Sequence, residues 1–522
     1  MRRQAGNRLA CTLQHVRTRR HKSVALRHTE PILVAGRTCW RIEPAGRFAL
    51  IVDAADYFRH AKAAMLNAEQ RIMLLGWDFD VRIELEPGQQ TLEGPNRLGD
   101  FLAWLPERRP GLRIFVLKWD LGVFQALGRG MAPMFVKNWT TGKRLRFKLD
   151  GMHPPGAAHH QKIVVIDDAL AFCGGIDITV DRWDTREHRD AHPCRREPDG
   201  KPSGPWHDAT TAIDGAAART IGDLARERWL EATSEALDVV EASHDPWPAD
   251  LAPMIEQVRV GIARTLPEYR GAEAVAEIER LYLAAIARAR RSVYLESQYF
   301  ASRKLAEALA TRLREPDGPE IVLVLPEKAE GWLEQQAMDG ARARLLRMLW
   351  QADLHDRFDA FYPVTAGGDA IYVHAKIMVI DEMLLRVGSS NLNNRSLAFD
   401  TECDLALEAH PDAADDEALR TIIQRIRDGL LCEHLAVEPA ALDAAIRRTG
   451  SLLGAMRALA GPGRSLRRFD PGDVADDDSA LAENELLDPE QRSLGTWQRL
   501  GGGLRDALKY LAPWQDGARD AR

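Results

Sequence analysis

The sequence repeats one order of elements in its two halves, and this repeat constrains the fold more than any other feature. In each half, a segment with apolar residues at helical spacing leads into a short apolar run, and a second apolar run follows. A His-x-Lys-x4-Asp motif then opens a third run, at His160 in the first half and at His374 in the second. This recurrence indicates a duplicated unit. The predicted helices are 54–70 and 272–290, and the predicted strands are 71–75, 113–117, 163–166, 292–295, 320–325 and 377–380.

Helices that alternate with short apolar strands predict an α/β fold with a largely buried sheet in each half. A stretch with helical spacing over 215–240 ends before a proline-containing connector, EASHDPWPADL. Segment 186–205 is polar and rich in arginine and proline, so we expect a loop there. The predicted organisation is a basic N-terminal arm at 1–30, a first half at 31–240, a linker at 241–255, a second half at 256–435 and a tail at 436–522.

The two terminal segments each leave two interpretations open. The basic arm is either a solvated tail or a contact to anionic lipid. The tail contains an acidic stretch at 469–489, a predicted linker, followed by apolar residues at helical spacing. They predict a helix that either docks on the protein's own core or lies on a lipid surface. Those residues are Leu494, Trp497, Leu500, Leu504, Leu508 and Leu511.

Composition restricts the partners of the chain. With 522 residues, of which 45% are hydrophobic and 28% charged, it has the balance of a soluble globular protein. A net charge of −7 weighs against nonspecific nucleic-acid binding. Six sparse cysteines without C-x-x-C spacing are predicted to be free thiols, which favours a reducing compartment.

The sequence also bears on location. No apolar stretch approaches the roughly 18 residues of a membrane-spanning helix, so we expect no transmembrane segment. The first residues are basic but lack the apolar run of a secretory signal peptide. We therefore expect a cytoplasmic or peripheral membrane location, with secretion by a route without a conventional signal peptide as the alternative.

The two motifs carry the chemistry. In each, the histidine and the lysine are two residues apart at the start of a strand-like run, so both side chains point the same way. This suits a phosphate diester, because lysines stabilise charge on the nonbridging oxygens while one imidazole attacks phosphorus and the other protonates the leaving oxygen. We expect no metal ion and no cofactor in this reaction, because the protein supplies the cations. The pairs are His160 with Lys162 and His374 with Lys376.

Small residues and a polar one follow each motif, in GGID at 174–177 and GSSN at 388–391. Short side chains allow backbone amides to approach a phosphate closely. Asp177 and Asn391 hold corresponding places, where each can hydrogen-bond the lysines or the phosphate. The motif aspartates, Asp167 and Asp381, either take part in catalysis or brace the loop after each strand.

Together these segments resemble the phospholipase D superfamily, and within it the two-motif phospholipase D and transphosphatidylase branch. The resemblance covers roughly residues 30–435. An Asp in both motifs separates the chain from the tyrosyl-DNA phosphodiesterases, whose motifs lack it. The segments that carry the resemblance are HHQKIVVIDDALAFCGGIDITVDRWD at 159–184, PWHD at 205–208, LESQYF at 295–300 and VHAKIMVIDEMLLRVGSSNLNNRSLAFDTECDLAL at 373–407.

The resemblance implies two similar α/β halves packed about a pseudo-twofold axis, with one active site at their interface. It also implies a two-step reaction through a phosphohistidine, with His160 as the nucleophile and His374 as the acid and then the base. The near symmetry of the motifs leaves the reverse assignment open. The residues that would bind phosphate are Lys162, Lys376 and Asn391, with Ser389 as a weaker candidate.

Each reactive histidine needs a carboxylate that sets its tautomer. Glu402, in the segment DTECDL, is the candidate in the second half. Either Asp184 or Asp190 is the candidate in the first. Both assignments place the carboxylate in the same half as its histidine.

The function we expect from the resemblance is hydrolysis of the distal phosphodiester of a phospholipid such as phosphatidylcholine, at a membrane surface, with transphosphatidylation as a side activity. A cardiolipin synthase-type transferase is an alternative, although such enzymes commonly carry N-terminal transmembrane helices. The acidic charge and the paired motifs speak against a metal-independent nuclease, and the intact motifs speak against a degenerate binding protein. Because one chain holds both motifs, we expect an active monomer without a nucleic-acid partner.

Overall fold

The computed structural model describes residues 30–120, 143–330, 338–410 and 416–470, together with residue 488. The arm predicted at 1–30, apart from its last residue, and the apolar helix predicted near the C-terminus lie outside the described residues. So does most of the acidic stretch before that helix. Within the described part of the chain, no helix combines the length and the apolar character that crossing a membrane requires.

The first half forms short strands that are apolar on both faces. Every residue of the strands at 71–76, 163–166 and 170–174 is buried, as expected for strands covered on both sides. The elements of this half are β1 (Arg41–Val52), α1 (Ala54–Asn67), β2 (Arg71–Gly76), α2 (Leu98–Arg108), β3 (Arg113–Trp119), β4 (Leu145–Asp150), β5 (Ile163–Ile166), β6 (Leu170–Gly174), β7 (Trp206–His207), β8 (Ala209–Asp214) and α3 (Gly215–Thr233).

The second half repeats this order, with further short elements between its strands, and then adds two helices and an edge strand. Its elements are β9 (Ile255–Leu266), β10 (Val275–Ala276), α4 (Glu277–Arg288), β11 (Ser292–Glu296), α5 (Arg303–Leu313), β12 (Glu320–Val324), α6 (Gly340–Ala352), β13 (Phe358–Val364), β14 (Tyr372–Val373), β15 (Ile377–Ile380), β16 (Leu384–Gly388), α7 (Asn394–Ala398), β17 (Glu402–Glu408), α8 (Glu417–Leu435), α9 (Pro439–Thr449), α10 (Leu452–Leu459) and β18 (Ser465–Arg468).

The strands predicted around both motifs are confirmed as β2, β3, β5, β11, β12 and β15, and segment 186–205 is a loop. The predicted helices are shorter than expected. Helix α4 begins at Glu277 because the two residues before it pair with β9. Helix α3 ends at Thr233 because Ser234 takes a left-handed conformation, with φ of 59°, that terminates a helix.

The strands of both halves join one continuous mixed sheet in the order β4-β3-β2-β5-β6-β8-β1-β9-β17-β16-β15-β11-β12-β13-β18. Around the central β1–β9 pair, the halves have matching connections. Strands β2 and β3 are parallel, as are β11 and β12, whereas β5 and β6 are antiparallel, as are β15 and β16. This order confirms two similar α/β halves related by a pseudo-twofold axis.

The sheet predicted for each half is thus part of a single sheet. The fusion arises because the long strands β1 and β9 pair antiparallel through the centre. One apolar core extends along one face of the sheet in both halves, where α3, α8, α9 and α10 pack. Within it, the Trp229 ring of α3 lies edge-on to the Phe115 ring of β3, with 4.9 Å between centroids. A shared core fixes the two motif strands, β5 and β15, relative to each other.

Candidate active site

The motif histidines lie at the junction of the halves, where backbone of the opposite half holds each of them. The amide of His160 donates a hydrogen bond of 3.0 Å to the carbonyl of Thr401, just before β17. The amide of His374 donates one of 2.7 Å to the carbonyl of His207, and β7 pairs in parallel with β14 beside it. The two halves therefore exchange short segments to assemble one site.

The carboxylate that orients each histidine also comes from the opposite half. Nδ1 of His160 lies 2.9 and 3.0 Å from the two carboxylate oxygens of Glu402. Nδ1 of His374 lies 2.6 Å from Oδ2 of Asp208. Both carboxylates are fully buried. A carboxylate at Nδ1 favours the tautomer with its proton there and leaves the Nε2 lone pair available; among the described residues, none hydrogen-bonds Nε2 of either ring.

The predicted pairing of carboxylates with histidines is therefore wrong. Glu402 is an orienting carboxylate, but its partner is the first-half His160, and the second-half His374 takes Asp208. Same-half pairing fails because both histidines stand at the junction, where the adjacent buried carboxylate belongs to the other half.

Asp184 and Asp190, predicted as orienters in the first half, serve elsewhere. Asp184 lies 3.0 Å from Nδ1 of His188. Asp190 accepts hydrogen bonds from the hydroxyl of Thr365 and from the amide of Gly367, the latter at 2.9 Å. They secure loop 186–205 and its neighbours and contact neither motif histidine.

Both motif lysines are almost fully buried next to their histidines. Nζ of Lys162 forms an ion pair of 2.8 Å with Asp177 and donates a hydrogen bond of 3.1 Å to the carbonyl of His160. Nζ of Lys376 donates to the carbonyl of His374. Two ammonium groups thus lie close to the imidazoles, in a site where burial strengthens their influence on an anion.

The polar residues that follow the motifs lie at different depths. Asp177 and Asn391 line the cavity, and Oδ1 of Asn391 has no hydrogen-bond partner among the described residues. The hydroxyl of Ser389 instead donates to Glu402 and accepts a hydrogen bond of 3.0 Å from the amide of Cys403. Ser389 therefore supports the orienting carboxylate, and it is not among the residues that line the cavity.

Asp167 and Asp381 are structural braces. Asp167 accepts hydrogen bonds of 2.5–2.9 Å from the backbone amides of 69–71, at the start of β2. Asp381 accepts hydrogen bonds of 2.6–2.9 Å from those of 290–292, at the start of β11. Of the two interpretations left open by the sequence, these hydrogen bonds favour bracing, since both carboxylates are occupied at the strand ends.

Both motif histidines line one open cavity of about 260 Å³. One aromatic contact lies in its wall, and a second lies beside His374. The rings of Trp77 and Trp119 stack with 5.8 Å between centroids, and the Trp206 ring lies 5.2 Å from that of His374. Besides the histidines, the charged and aromatic lining residues are Arg182, Arg395, Asp177, Glu330, Asp400, Trp77, Trp119 and Tyr299.

Burial and charge set the protonation of the site. Burial, together with the two motif lysines, holds the pKa of His160 well below its usual value. Burial and the cations of Lys376 and Arg182 do the same to the pKa of His374. Both imidazoles are therefore neutral near pH 7 in the free protein, which leaves a lone pair for nucleophilic attack.

The pKa values of the ionisable groups around the histidines are shifted by burial, which disfavours the charged form of each group. Burial lowers the pKa of Lys376 to about 7, against the opposing effect of Asp208. It raises the pKa of Glu402 to about 7 and that of Asp208 to about 7. Any anion bound beside Lys376 and His374 would stabilise their protonated forms, so anion binding would be linked to proton uptake.

Sequence reasoning did not assign roles to Asp208, Arg182 or Arg395. Asp208 lies in the quoted segment PWHD and Arg182 in DRWD, so the resemblance contained both residues. Arg395 follows GSSN by four residues and makes an ion pair of 2.7 Å with Asp400 at the cavity wall. A Trp-His-Asp segment in the first half was the available signal for the second histidine's partner.

Two family models match the chain. One, described as "Phospholipase D", matches residues 152–307, and the other, described as "Cardiolipin synthase, PLD-like domain", matches residues 282–425. The matched ranges contain the first and the second motif respectively. Together they cover residues 152–425, which include every cavity-lining residue except Trp77 and Trp119.

Named relatives are similar to this chain over about 70% of its length. Phospholipase D A of Dictyostelium discoideum is 24% identical over 429 residues, which are 68% of this chain and 32% of that protein. Phospholipase D alpha 4 of Arabidopsis thaliana is 21% identical over 495 residues, which are 73% of this chain and 64% of that protein. The chain therefore spans about a third to just under two thirds of the length of these relatives.

A solved structure matches almost the whole chain. It is titled as the phosphatidylserine synthase of Haemophilus influenzae Rd KW20, and the match covers 94% of this chain and 98% of that one, with a TM-score of 0.50 and 12% identity. At this identity the likeness concerns the fold alone. It agrees with two α/β halves that share one sheet.

Proposed function

Because this chain belongs to the phospholipase D superfamily and carries two of its motifs, we propose that it is a phospholipase D-type phosphodiesterase that cleaves the distal phosphodiester of phospholipids. One observation carries the proposal. Imidazoles from opposite halves line one cavity, and each has Nδ1 on a buried carboxylate and Nε2 free of partners among the described residues. This arrangement provides a nucleophile and a proton donor for one phosphorus atom.

In the first step, Nε2 of His160 attacks phosphorus, a P–N bond forms and the P–O bond to the head group breaks. His374, as imidazolium, gives its Nε2 proton to the departing oxygen. In the second step, His374 takes a proton from water, the water oxygen attacks phosphorus, and the P–N bond breaks to release phosphatidate. An alcohol in place of water gives transphosphatidylation. Both steps together return the two histidines to their starting states.

The nucleophile is His160, and its exposure supports this assignment. The His160 side chain is 16% exposed and that of His374 is 6% exposed. The Trp206 ring, 5.2 Å away, covers part of His374. An attacking nitrogen needs an open approach to phosphorus, whereas a proton donor needs only one well-directed contact to the leaving oxygen.

The phosphate-binding groups are Lys162, Lys376 and Asn391. Two buried ammonium groups stabilise the charge that builds on the nonbridging oxygens during attack. Because Lys376 has no carboxylate bonded to Nζ among the described residues, a phosphate can supply its counter-charge. Lys162 already holds Asp177, which balances part of the positive charge of the free site.

The cavity wall supports a head group that carries a positive charge. Trp77, Trp119 and Tyr299 offer aromatic faces, and Glu330 offers negative charge. Quaternary ammonium groups bind to aromatic faces by cation–π attraction. Phosphatidylcholine is therefore the substrate that we propose.

A phosphatidyltransferase is the second candidate, because one family model is described as cardiolipin synthase and the solved neighbour is titled as a phosphatidylserine synthase. Such an enzyme would share the phosphohistidine and differ only in the acceptor that resolves it. The choice between hydrolase and transferase then depends on whether water or an alcohol reaches the intermediate.

The test uses the full chain with three substrates in the presence of EDTA: phosphatidylcholine vesicles, phosphatidylglycerol vesicles and plasmid DNA. We expect choline and phosphatidate from the first, and phosphatidylbutanol when butanol is added. His160→Ala should abolish the release, and His60→Gln, at a buried histidine on α1 that lies beside Asp250, should not.

The other outcomes assign the alternatives. Cardiolipin formed from phosphatidylglycerol, without choline release, would make the chain a transferase. Cleavage of DNA alone would reject both lipid functions.

A further inference from the structure

A second cluster of ionisable side chains lies behind the active site and takes no part in the proposed reaction. It consists of Asp53, His188, His207 and Glu433, all buried. One ligand atom from each lies within 4.8 Å of the others. We propose that these four side chains form a closed structural site for one divalent transition-metal ion of the Zn²⁺ class, which joins the two halves behind His374.

The spacing of the donor atoms fits a tetrahedral ion. Oε1 of Glu433 lies 3.0 Å from Nδ1 of His207 and 3.3 Å from Nε2 of His188. The Asp53 oxygens lie 3.5 Å from Nδ1 of His207 and 3.6 Å from Nε2 of His188. With metal–ligand bonds of about 2.0–2.1 Å, a tetrahedron has edges of about 3.3–3.4 Å between ligand atoms. These four distances, which involve both oxygens of Asp53, bracket that value, and one ligand atom from each residue lies within 4.8 Å of the other three.

The donor set consists of ligand types that zinc accepts. Two imidazoles and two carboxylates give an N2O2 set of borderline and hard ligands, all from the protein. A site with four protein ligands and no exposure to solvent has no open position for substrate or water. The ion therefore has a structural role and does not enter the reaction at phosphorus.

Both histidines have the outer-shell partners that metal-bound imidazoles require. The nitrogen of His188 that points away from the cluster centre, Nδ1, lies 3.0 Å from Asp184. The corresponding nitrogen of His207, Nε2, lies 2.8 Å from Glu296. A carboxylate on the far nitrogen fixes the tautomer whose other nitrogen can bind a metal.

The alternative occupant of the cluster is a pair of protons. Each imidazole lies between two carboxylates, so one added proton per ring would let both of its nitrogens donate hydrogen bonds. One divalent cation replaces those two protons without changing the net charge of the cluster. Oδ2 of Asp53 is buried and has no hydrogen-bond partner among the described residues. A metal ion bound to this oxygen would give it a partner, whereas protons on the two imidazoles do not.

The location gives the ion a positioning role. Asp53, His188 and His207 belong to the first half, and Glu433 belongs to α8 of the second. The carbonyl of His207 accepts the amide hydrogen bond of His374. An ion at His207 would therefore hold β7, and with it the orienting carboxylate, against the second-half histidine.

The first measurement is the metal content of the full chain, expressed without a polyhistidine tag in zinc-supplemented medium. Mass spectrometry should find about one Zn²⁺ per chain in the wild type and in His60→Gln, which removes a buried histidine outside the cluster. His188→Gln and Glu433→Gln should contain less than about a fifth of that amount.

The second measurement uses only the wild type and so does not depend on whether the variants fold. Chain that is unfolded with EDTA and refolded with Zn²⁺ should melt several degrees higher than chain refolded without it. Absence of stoichiometric metal in the wild type, with no thermal shift on adding Zn²⁺, would overturn the site and leave the two protons as its occupants. Choline release by such metal-free protein would leave the proposed function intact.

Discussion

The two halves present the same motif to one cavity, but they differ at the residue that follows it. In the first half, Asp177 forms an ion pair of 2.8 Å with Lys162. In the second half, the corresponding residue is Asn391, and Nζ of Lys376 has no carboxylate hydrogen-bonded to it in the described part of the chain. Burial accordingly lowers the pKa of Lys376 to about 7.

This difference shows how a duplicated unit comes to hold an asymmetric site. The scaffold has kept its symmetry, since Asp167 and Asp381 brace equivalent strand starts with the same hydrogen bonds. The cavity is not symmetric. One half supplies a lysine that already has a counter-charge, and the other supplies a lysine that, in the proposed reaction, gains its counter-charge from the substrate phosphate.

The largest expected effect comes from removing either imidazole. His160→Ala and His374→Ala should each lower kcat for choline release by about ten-thousand-fold, because loss of one member disables a catalytic unit whose parts are interdependent. The measurement is the rate of choline release from phosphatidylcholine vesicles at saturating substrate. A variant that kept a tenth of the wild-type rate would show that its histidine is dispensable.

The next effect tests the exchange of carboxylates between halves. Glu402→Gln and Asp208→Asn should each reduce kcat by about 10²–10³-fold, since an amide no longer fixes the histidine tautomer. Asp190→Asn is the matched control, because its carboxylate contacts Thr365 and no motif histidine. Equal losses in all three variants would contradict the cross-half pairing.

A charge swap at the asymmetric position should have a smaller effect. Asn391→Asp places a second carboxylate in the cavity, which repels a phosphate diester and balances Lys376 before substrate binds. We expect kcat/KM to fall by about 10–100-fold, equivalent to about 1.4–2.7 kcal/mol. Asp177→Asn is the reciprocal variant, and a loss of kcat/KM as large as that of Asn391→Asp would mean that the halves are equivalent.

The pH profile of kcat/KM should be narrow. Glu402 has a pKa of about 7 and must be ionised to hold the proton on Nδ1 of His160, so activity is lost as pH falls below it. Lys376 has a pKa of about 7 and must be protonated to bind phosphate, so activity is lost as pH rises above it. We expect kcat/KM to be bell-shaped around pH 7. Lys376→Arg should flatten the alkaline limb, and an unchanged limb would assign it to another group.

The smallest effect on activity should come from the braces. Asp167→Asn and Asp381→Asn each lose carboxylate hydrogen bonds to three buried or partly buried amides, which should cost about 1–3 kcal/mol of stability. Thermal melting should show a lower Tm in both variants, while kcat per folded molecule stays within a few-fold of the wild type. A large loss of kcat at an unchanged Tm would restore the catalytic interpretation.

The strands and the motif residues could be predicted from local sequence patterns. The contacts between the two halves could not, because no local pattern encodes them. Strands such as β5 and β15 follow from short apolar runs, and the motif residues follow from their spacing. Glu402 was identified as an orienter but assigned to the wrong histidine, because no local pattern encodes which segment crosses the junction. The place of Ser389 outside the cavity lining was missed for a related reason, since it depends on how Glu402 packs.

The central claim is that one shared site has two unequal histidines, and trapping the intermediate tests it most directly. His374→Ala, mixed with a phosphatidyl ester whose leaving group needs no protonation, should form the phosphohistidine and then stall, because the base for the second step is missing. Peptide mass spectrometry should place the phosphatidyl group on His160, with none trapped in His160→Ala. A phosphatidyl group found on His374 in the His160→Ala variant would contradict the account.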